Sequence, residues 1–226
     1  MVKRIVRPGV REGYDLWSRS YDATRNPLVA LDRRHTLASL DPRPGERILD
    51  AGCGTGAHLR GAIDAGARAV GLDFSFGMLE VSRRAAPQAA LVQADLNRAL
   101  PLRYRVFDAF LTALVSEHLT DLKTFFSEAF ATLRSGGRLI FSAFHPEPAG
   151  VGIEANFRDN GVEYRLGAEP YSMDEYLGRI EEAGFRDLEY EEFNVDHAVV
   201  EEVPEAKKHL GQPMLLIVKA TRPQGT

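Results

Sequence analysis

The sequence has little cysteine, no long apolar run and no excess of positive charge. Cys53 is its single cysteine, which excludes an internal disulfide framework and a zinc site built from several cysteines. No apolar run approaches the ~20 residues that cross a bilayer, and the charged start MVKRIVRPGV lacks the apolar core of a signal peptide. These absences predict a cytoplasmic protein with no membrane partner.

The overall composition is that of an ordinary globular chain. The net charge of −4 provides no positive field that would attract nucleic acid. With 226 residues, of which 44% are hydrophobic and 27% charged, the chain is long enough to bury a sizeable core. We expect one domain, and the sequence leaves its oligomeric state open.

Short apolar runs alternate with helix-like stretches through the middle of the chain. Each run has the length of a buried strand, and several end at an acid or another polar residue. This alternation predicts right-handed β-α-β crossovers and an α/β fold with a Rossmann-like, doubly wound, mostly parallel sheet. The helix before the last run is expected to stop at Gly136 and Gly137. The runs are RILD (47–50), AVGLD (69–73), AALVQAD (89–95), VFDAFLT (106–112) and GRLIFSAF (137–144).

Three flanking segments surround this predicted core of residues 45–144. The sequence predicts a helical cap over residues 1–44. It also predicts an irregular insertion after the fifth strand over residues 145–170, which are rich in proline and glycine. Residues 171–226 begin with a capping box at Ser172 and Glu175, which predicts a helix, and continue with two strands that can pair antiparallel. The expected sheet therefore has seven strands.

Three aromatic residues recur at helical spacing near the N-terminus. Tyr14, Trp17 and Tyr21 stand at i, i+3 and i+7, which places them on one face of a short helix. On periodicity alone, packing of this face on the core is favoured over contact with a ligand.

The stretch ILDAGCGTGAHL, from Ile48 to Leu59, reads as a strand, a glycine-rich turn and a helix start. Gly52, Gly54 and Ala57 satisfy G-x-G-x-x-G/A, and Asp73 follows at the spacing of a ribose-binding acid. A nicotinamide dinucleotide is therefore one candidate ligand, because helix N-termini attract its pyrophosphate.

The acid before the glycines favours a different ligand. Asp50 stands at the carboxyl end of the first strand, where it would repel a pyrophosphate by several kcal/mol at an effective dielectric of ~20. S-adenosylmethionine carries an α-ammonium and a sulfonium, so the same acid attracts it. Asp73 and Asp95 end the next two strands, and such strand ends meet at the ligand-binding edge of an open α/β sheet.

At these residues the sequence resembles the class I S-adenosylmethionine-dependent methyltransferases, in particular the group that acts on small molecules. The resemblance covers roughly residues 14–144. It rests on D-x-G-x-G-x-G (Asp50, Gly52, Gly54, Gly56), Asp73, Ala94-Asp95-Leu96, FDAF with Asp108, LRSGGRLIFS, and the pair YD-x5-YD from Tyr14 to Asp22.

The resemblance implies a role for each matching residue. Asp50 and the three loop glycines would hold the methionyl moiety, and Asp73 would accept hydrogen bonds from the ribose hydroxyls. Asp95 and Leu96 would meet the adenine edge, with Phe74 and Met78 packed on the adenosine. Tyr14 and Tyr21 would be cofactor neighbours, and Thr112 would line the cleft near the transferred methyl group. The product would be S-adenosylhomocysteine.

Two histidines are candidate general bases. His118 follows the fourth strand and His145 the fifth, so both fall at the edge where an acceptor would enter. The alternative is structural: His118 packs against the next helix, and His145 orders its loop. No clustered set of histidine and carboxylate ligands appears, so we expect a metal-independent enzyme.

The insertion at 145–170 is expected to form the acceptor pocket or a lid over it, in which Phe157 and Tyr164 provide apolar walls and Arg165 a cation. The alternative is that the insertion is a surface decoration. Asp108 is followed by Ala109 and Phe110 rather than the Pro-Pro-aromatic signature of base-amino methyltransferases, and Cys53 lies inside the glycine loop. We therefore expect a small-molecule acceptor and no nucleic-acid partner. The rival hypotheses are an NAD(P)-dependent oxidoreductase and a non-catalytic nucleotide-binding or interaction protein.

Overall fold

The computed structural model describes residues 4–149 and 154–225. Its strands are β1 (Arg4–Val6), β2 (Arg47–Ala51), β3 (Arg68–Asp73), β4 (Ala90–Gln93), β5 (Phe107–Ala113), β6 (Leu133–Phe144), β7 (Asn156–Asp159), β8 (Val162–Arg165), β9 (Arg186–Asn194) and β10 (Pro213–Thr221). Its α-helices are α1 (Val10–Trp17), α2 (Pro27–Leu40), α3 (Ala57–Asp64), α4 (Phe76–Ala85), α5 (Leu122–Thr132), α6 (Pro146–Ala149), α7 (Met173–Glu182) and α8 (His197–Glu202). Short 3₁₀ turns lie at Tyr21–Ala23, Ser116–His118 and Pro204–His209.

Seven strands form the central sheet in the order β4-β3-β2-β5-β6-β10-β9. The strands from β4 to β6 in this order run parallel, and β10 is antiparallel to both β6 and β9. The chain leaves β2 toward β3 on one side and later adds β5 on the other side. The carboxyl ends of β2 and β5 therefore border the switch point, where an open α/β sheet binds its ligand. The predicted doubly wound, mostly parallel seven-stranded sheet is confirmed.

Alternate residues of the inner strands enter two different cores. On β5, Phe110 packs with α5 and α7 on one face, whereas Ala109 and Leu111 pack with α2 and α8 on the other. Strand residues point alternately to the two faces, so a continuous apolar run fits a sheet that is covered on both sides.

The glycine pair after α5 is not a helix stop. The helix ends at Thr132, and β6 already begins at Leu133, with Gly136 at φ 74° inside the strand. Leu133 pairs with Phe107, but Arg138 pairs with Ala109, so the residues between them bulge out of the ladder. Pairing with β5 therefore overrides the local helix-ending signal.

The insertion is more regular than its composition predicts. β7 and β8 form an antiparallel hairpin across Asn160 and Gly161, whose φ angles of 48° and 79° are those of a two-residue hairpin turn. β1 pairs in parallel with β8 and completes a second, three-stranded sheet. Arg7, just after β1, donates two hydrogen bonds to the Glu154 carboxylate, at 2.8 and 3.0 Å.

Candidate functional site

The glycine loop turns the chain sharply between β2 and α3. Gly52 has φ 87°, and a β-carbon there would lie 2.2 Å from the side chain of Val115 in the loop after β5. Gly54 has φ 50°, and nothing lies within 4 Å of the position its β-carbon would take. The first glycine therefore permits close packing, and the second leaves open space at the end of the strands.

Asp73 ties the end of β3 to this loop. One carboxylate oxygen accepts the backbone N–H of Gly54 at 2.8 Å, and the other accepts that of Ser75 at 2.8 Å. Burial raises the pKa of the Asp73 carboxyl to about 6, although these N–H donors act in the opposite direction. Each oxygen keeps a further lone pair that a ligand hydroxyl can engage.

A pocket of about 280 Å³ opens at the carboxyl ends of the parallel strands; we call it the glycine-loop pocket. Its wall includes nine of the residues that the sequence predicts to contact a cofactor, together with His118. The nine are Tyr14, Tyr21, Gly52, Gly54, Asp73, Phe74, Met78, Asp95 and Leu96. These residues come from five separate segments of the chain, and the fold brings them together.

The remaining three predicted cofactor residues lie behind this wall. Gly56 immediately precedes α3 and packs against Ser82. Thr112 is buried inside the sheet, while its successor Ala113 lines the pocket. Asp50 is also buried, and neither of its carboxylate oxygens has a hydrogen-bond partner among the described residues. Burial raises the pKa of the Asp50 carboxyl to about 7. An unpaired buried carboxylate is costly, so this position suits a positively charged or hydrogen-bonding ligand.

The N-terminal cap is fastened to the pocket by an aspartate that the sequence reasoning missed. Asp15 on α1 accepts the Ser75 hydroxyl at 2.6 Å and the backbone N–H of Gly77 at 2.9 Å. It thereby satisfies a donor at the N-terminus of α4 and holds α1 over the pocket. This aspartate belongs to the motif YD-x5-YD, which was the available signal in the sequence.

A buried charged pair supports the back of the loop. Asp32 on α2 lies 2.7 Å from Nε2 of His58 and also accepts the hydroxyls of Thr36 and Ser142, each at 2.6 Å. The hydrogen bond and charge of Asp32 raise the pKa of the His58 ring despite its burial. The sequence showed no role for His58.

Glu117 and His118 lie side by side in the 3₁₀ turn after β5. The His118 ring lies 3.0 Å from the Tyr14 hydroxyl, and burial lowers the pKa of His118 to about 4. Burial raises the pKa of the Glu117 carboxyl to about 7. The side-chain amide of Asn97, in the loop after β4, donates a hydrogen bond to the backbone carbonyl of His118 at 3.1 Å. Sequence reasoning singled out only His118 from this group.

A second pocket, of about 510 Å³, adjoins the first; we call it the cap pocket. Tyr14, Tyr21 and Leu114 line both pockets, and Glu117 lines the cap pocket only. Trp17 and Phe157 contribute stacked rings whose centroids are 5.0 Å apart. Phe157, from the insertion, is therefore part of this wall, whereas Tyr164 stacks behind it and Arg165 pairs with Glu163.

His145 does not reach either pocket. Its neighbour Phe144 and its backbone partner Met214 line the cap pocket, but consecutive residues of an extended chain point in opposite directions. The His145 ring consequently lies 2.7 Å from Glu192 of β9, in a separate surface groove. The structure thus places the predicted base His145 outside both pockets.

Comparison with known proteins identifies the family. A family model described as a methyltransferase domain matches residues 49–141. The demethylmenaquinone methyltransferase of Streptomyces avermitilis is 32% identical over 163 residues, which cover 70% of this chain and 67% of that protein. The corresponding enzyme of Beutenbergia cavernae is 36% identical over 139 residues, which cover 60% of this chain and 58% of that protein.

A solved structure agrees with these relatives. An S-adenosylmethionine-dependent methyltransferase from Mesorhizobium loti superposes with a TM-score of 0.72 at 27% identity, covering 87% of this chain and 100% of that one. The chain belongs to the class I S-adenosylmethionine-dependent methyltransferase family. Its match spans only 58% and 67% of the two curated relatives' lengths.

Residues 4–149 and 154–225 contain no group of three or more histidine, cysteine, aspartate or glutamate side chains placed to hold a metal ion. In the same ranges no helix is long and apolar enough to cross a bilayer.

Proposed function

We propose that this protein transfers a methyl group from S-adenosylmethionine to a small molecule held in the cap pocket. The observation that carries the proposal is the convergence of Asp50, Asp73 and Asp95 at one edge of the sheet. Asp73 and Asp95 line the glycine-loop pocket. The carboxylate oxygens of Asp50, which have no hydrogen-bond partner among the described residues, lie behind the glycines of this pocket. This chemistry fits a ligand with hydroxyls and positive charge better than it fits a dinucleotide pyrophosphate.

The proposed contacts combine the roles that the resemblance implies with the residues that line the pocket. The remaining lone pairs of Asp73 engage the ribose hydroxyls, and Asp95 and Leu96 meet the adenine. Phe74 and Met78 pack against the adenosine, with Tyr14 and Tyr21 closing the pocket from the cap. Gly52 and Gly54 lie against the methionyl part, with Gly56 and Asp50 behind them and Thr112 behind the methyl group.

When bound, S-adenosylmethionine supplies an activated methyl group on a sulfonium. The residues of this chain then have to align the acceptor and exclude water, because the donor needs no further activation. Tyr14, Tyr21 and Leu114 border both pockets and so define the passage between donor and acceptor. No metal enters this proposal, and the location we propose is the cytoplasm.

The acceptor that best fits is a flat, largely apolar ring. The cap pocket is walled by Tyr14, Trp17, Tyr21 and Phe157, and aromatic side chains favour stacking with aromatic ligands. The curated relatives are named for demethylmenaquinone, which supports an acceptor of the hydroquinone class for this chain as well.

The test has a binding part and a turnover part. Calorimetry with S-adenosylmethionine, S-adenosylhomocysteine and NAD should show binding of the first two, and thermal unfolding should shift upward with them by mass action. Stabilisation by NAD alone would overturn the proposal in favour of an oxidoreductase. Release of S-adenosylhomocysteine with 1,4-naphthohydroquinone, kept reduced, then separates an enzyme from a protein that only binds the nucleotide.

A further inference from the structure

Glu117 occupies the boundary between the two pockets. Glu117 lines the cap pocket, and the next residue, His118, lines the glycine-loop pocket. Its backbone carbonyl accepts the N–H of Glu169 at 2.8 Å, which fixes the turn against the segment before α7. The carboxylate is therefore held close to the passage between donor and acceptor.

The carboxylate of Glu117 has no hydrogen bond in the part of the chain that the structure describes. One of its oxygens lies 3.6 Å from Nε2 of the His118 ring. Glu154, the other carboxylate in this pocket, instead accepts two hydrogen bonds from Arg7 and one from the N–H of Gly167. Of these two acids, Glu117 is the one left available to a bound molecule.

Three tyrosines face Glu117, and none of their hydroxyls accepts a proton at neutral pH. Tyr14, Tyr21 and Tyr176 approach it from the cap and from α7, and burial raises the pKa of each hydroxyl above its ordinary value. Each therefore stays protonated. The Tyr176 hydroxyl is in addition paired with that of Ser116 at 3.0 Å.

His118 is also unavailable. Its Nε2 is engaged by the Tyr14 hydroxyl at 3.0 Å, whichever of the two atoms donates the hydrogen bond. Burial lowers the pKa of the His118 ring to about 4, so the ring is neutral and a poor proton acceptor. Its place between Tyr14 and Glu117 makes His118 a positioning residue.

We propose that Glu117 is the general base of the reaction, and that it receives the proton of an aromatic hydroxyl on the acceptor. This inference rests on the proposed function and specifies its acceptor: a ring that bears an O–H. The burial that raises the pKa of the Glu117 carboxyl to about 7 matches its proton affinity to neutral pH, as a general base requires.

The step balances without a further reactant. The acceptor O–H bond breaks, and its proton goes to a Glu117 oxygen. The freed electron pair forms the new bond to the methyl carbon, through the oxygen or through a conjugated ring carbon, while the C–S pair stays on sulfur. A methylated ring carbon afterwards loses its own hydrogen as a proton to water, which restores the aromatic ring, and the oxygen of the ring takes back the proton held by Glu117.

The first test compares Glu117→Gln, Glu117→Asp and the wild type with 1,4-naphthohydroquinone as acceptor. We expect Glu117→Gln to lower kcat by about 100-fold or more while leaving the Kd for S-adenosylmethionine unchanged, and Glu117→Asp to recover part of the rate. The acidic limb of the wild-type kcat–pH profile, near pH 7, should disappear in Glu117→Gln. The matched control is Glu169→Gln, an exposed acid on the contacting segment, which should keep wild-type kcat. Wild-type turnover by Glu117→Gln would overturn the proposal.

The second test needs no turnover. In the complex with S-adenosylhomocysteine, 1-naphthol should bind more tightly than 1-methoxynaphthalene, and Glu117→Ala should reduce that preference by about tenfold or more. An unchanged preference would overturn the role of Glu117. Failure of the proposed function looks different, because the wild type would then bind neither S-adenosylmethionine nor S-adenosylhomocysteine.

Discussion

The Tyr14 hydroxyl, on the first helix, lies 3.0 Å from Nε2 of His118, in the turn that follows β5. The two rings meet nearly edge-on, with centroids 5.4 Å apart. Tyr14 lines both pockets, and His118 lines the one at the glycine loop. This pair therefore joins the N-terminal cap to the carboxyl edge of the sheet.

Replacing Tyr14 by phenylalanine removes this hydrogen bond and keeps the ring. We expect Tyr14→Phe to weaken S-adenosylmethionine binding by about fivefold to tenfold, because a neutral hydrogen bond contributes about 0.5–1.5 kcal/mol. Calorimetry measures the change. The control is Tyr190→Phe, whose ring is half-exposed on β9. Equal Kd values for all three proteins would show that the bond does not order the cap.

The Asp73 carboxylate accepts two backbone N–H groups and, in our proposal, the ribose hydroxyls. Asp73→Asn replaces one acceptor with a donor that faces an N–H and removes the charge. We expect the Kd for S-adenosylmethionine to rise about 10- to 100-fold, since hydrogen bonds to charged groups contribute about 1.5–3 kcal/mol. Asp64→Asn, an exposed acid that ends α3, is the control. A folded Asp73→Asn protein with unchanged affinity would refute the ribose assignment.

Burial raises the pKa of three site carboxyls, to about 7 for Asp50, about 6 for Asp73 and about 7 for Glu117. A raised folded-state pKa means that the folded protein binds these protons more tightly than the unfolded chain. Their contribution to stability is thus fully present below the unfolded pKa, near 4, and is lost as pH rises through about 6–7.

A cationic ligand offsets this loss of stability at higher pH, because it interacts favourably with the ionised carboxylates. We therefore expect S-adenosylmethionine to bind about tenfold more tightly at pH 7.5 than at pH 5, measured by calorimetry at constant ionic strength. Asp50→Asn should flatten the profile. Tighter binding at pH 5 would contradict the proposed charge complementarity.

The buried pair of Asp32 and His58 is expected to be a stability element. Asp32→Ala leaves the His58 ring and two hydroxyls without their acceptor, so we expect the free energy of unfolding to fall by about 3–5 kcal/mol. Urea denaturation measures this loss. The control is Glu202→Ala, which removes an exposed ion pair with Arg34. It should change the free energy of unfolding by less than about 1 kcal/mol. Similar losses in Glu202→Ala and Asp32→Ala would contradict a special role for the buried pair.

Local signals in the sequence predicted much of the fold. The inner strands follow from apolar runs that only a two-sided sheet can bury, and Ser172 with Glu175 forms the predicted capping box at α7. The Asn160-Gly161 turn was also readable, but the glycines and prolines around it suggested an irregular segment and concealed the hairpin. The pairing of β1 with β8 had no local signal, because the partners are distant in the chain.

The sequence by itself determined the sheet, the glycine turn and the acids at three successive strand ends. Those features depend on neighbouring residues, on periodicity and on the rule that parallel strands end at one edge. Tertiary structure alone decided which side chains share a pocket. It turned His145 toward β9, enclosed Asp50 without a partner, and placed Glu117 beside tyrosines from the cap and from α7. Side-chain direction and burial arise from contacts between distant segments, and no local pattern in the chain encodes them.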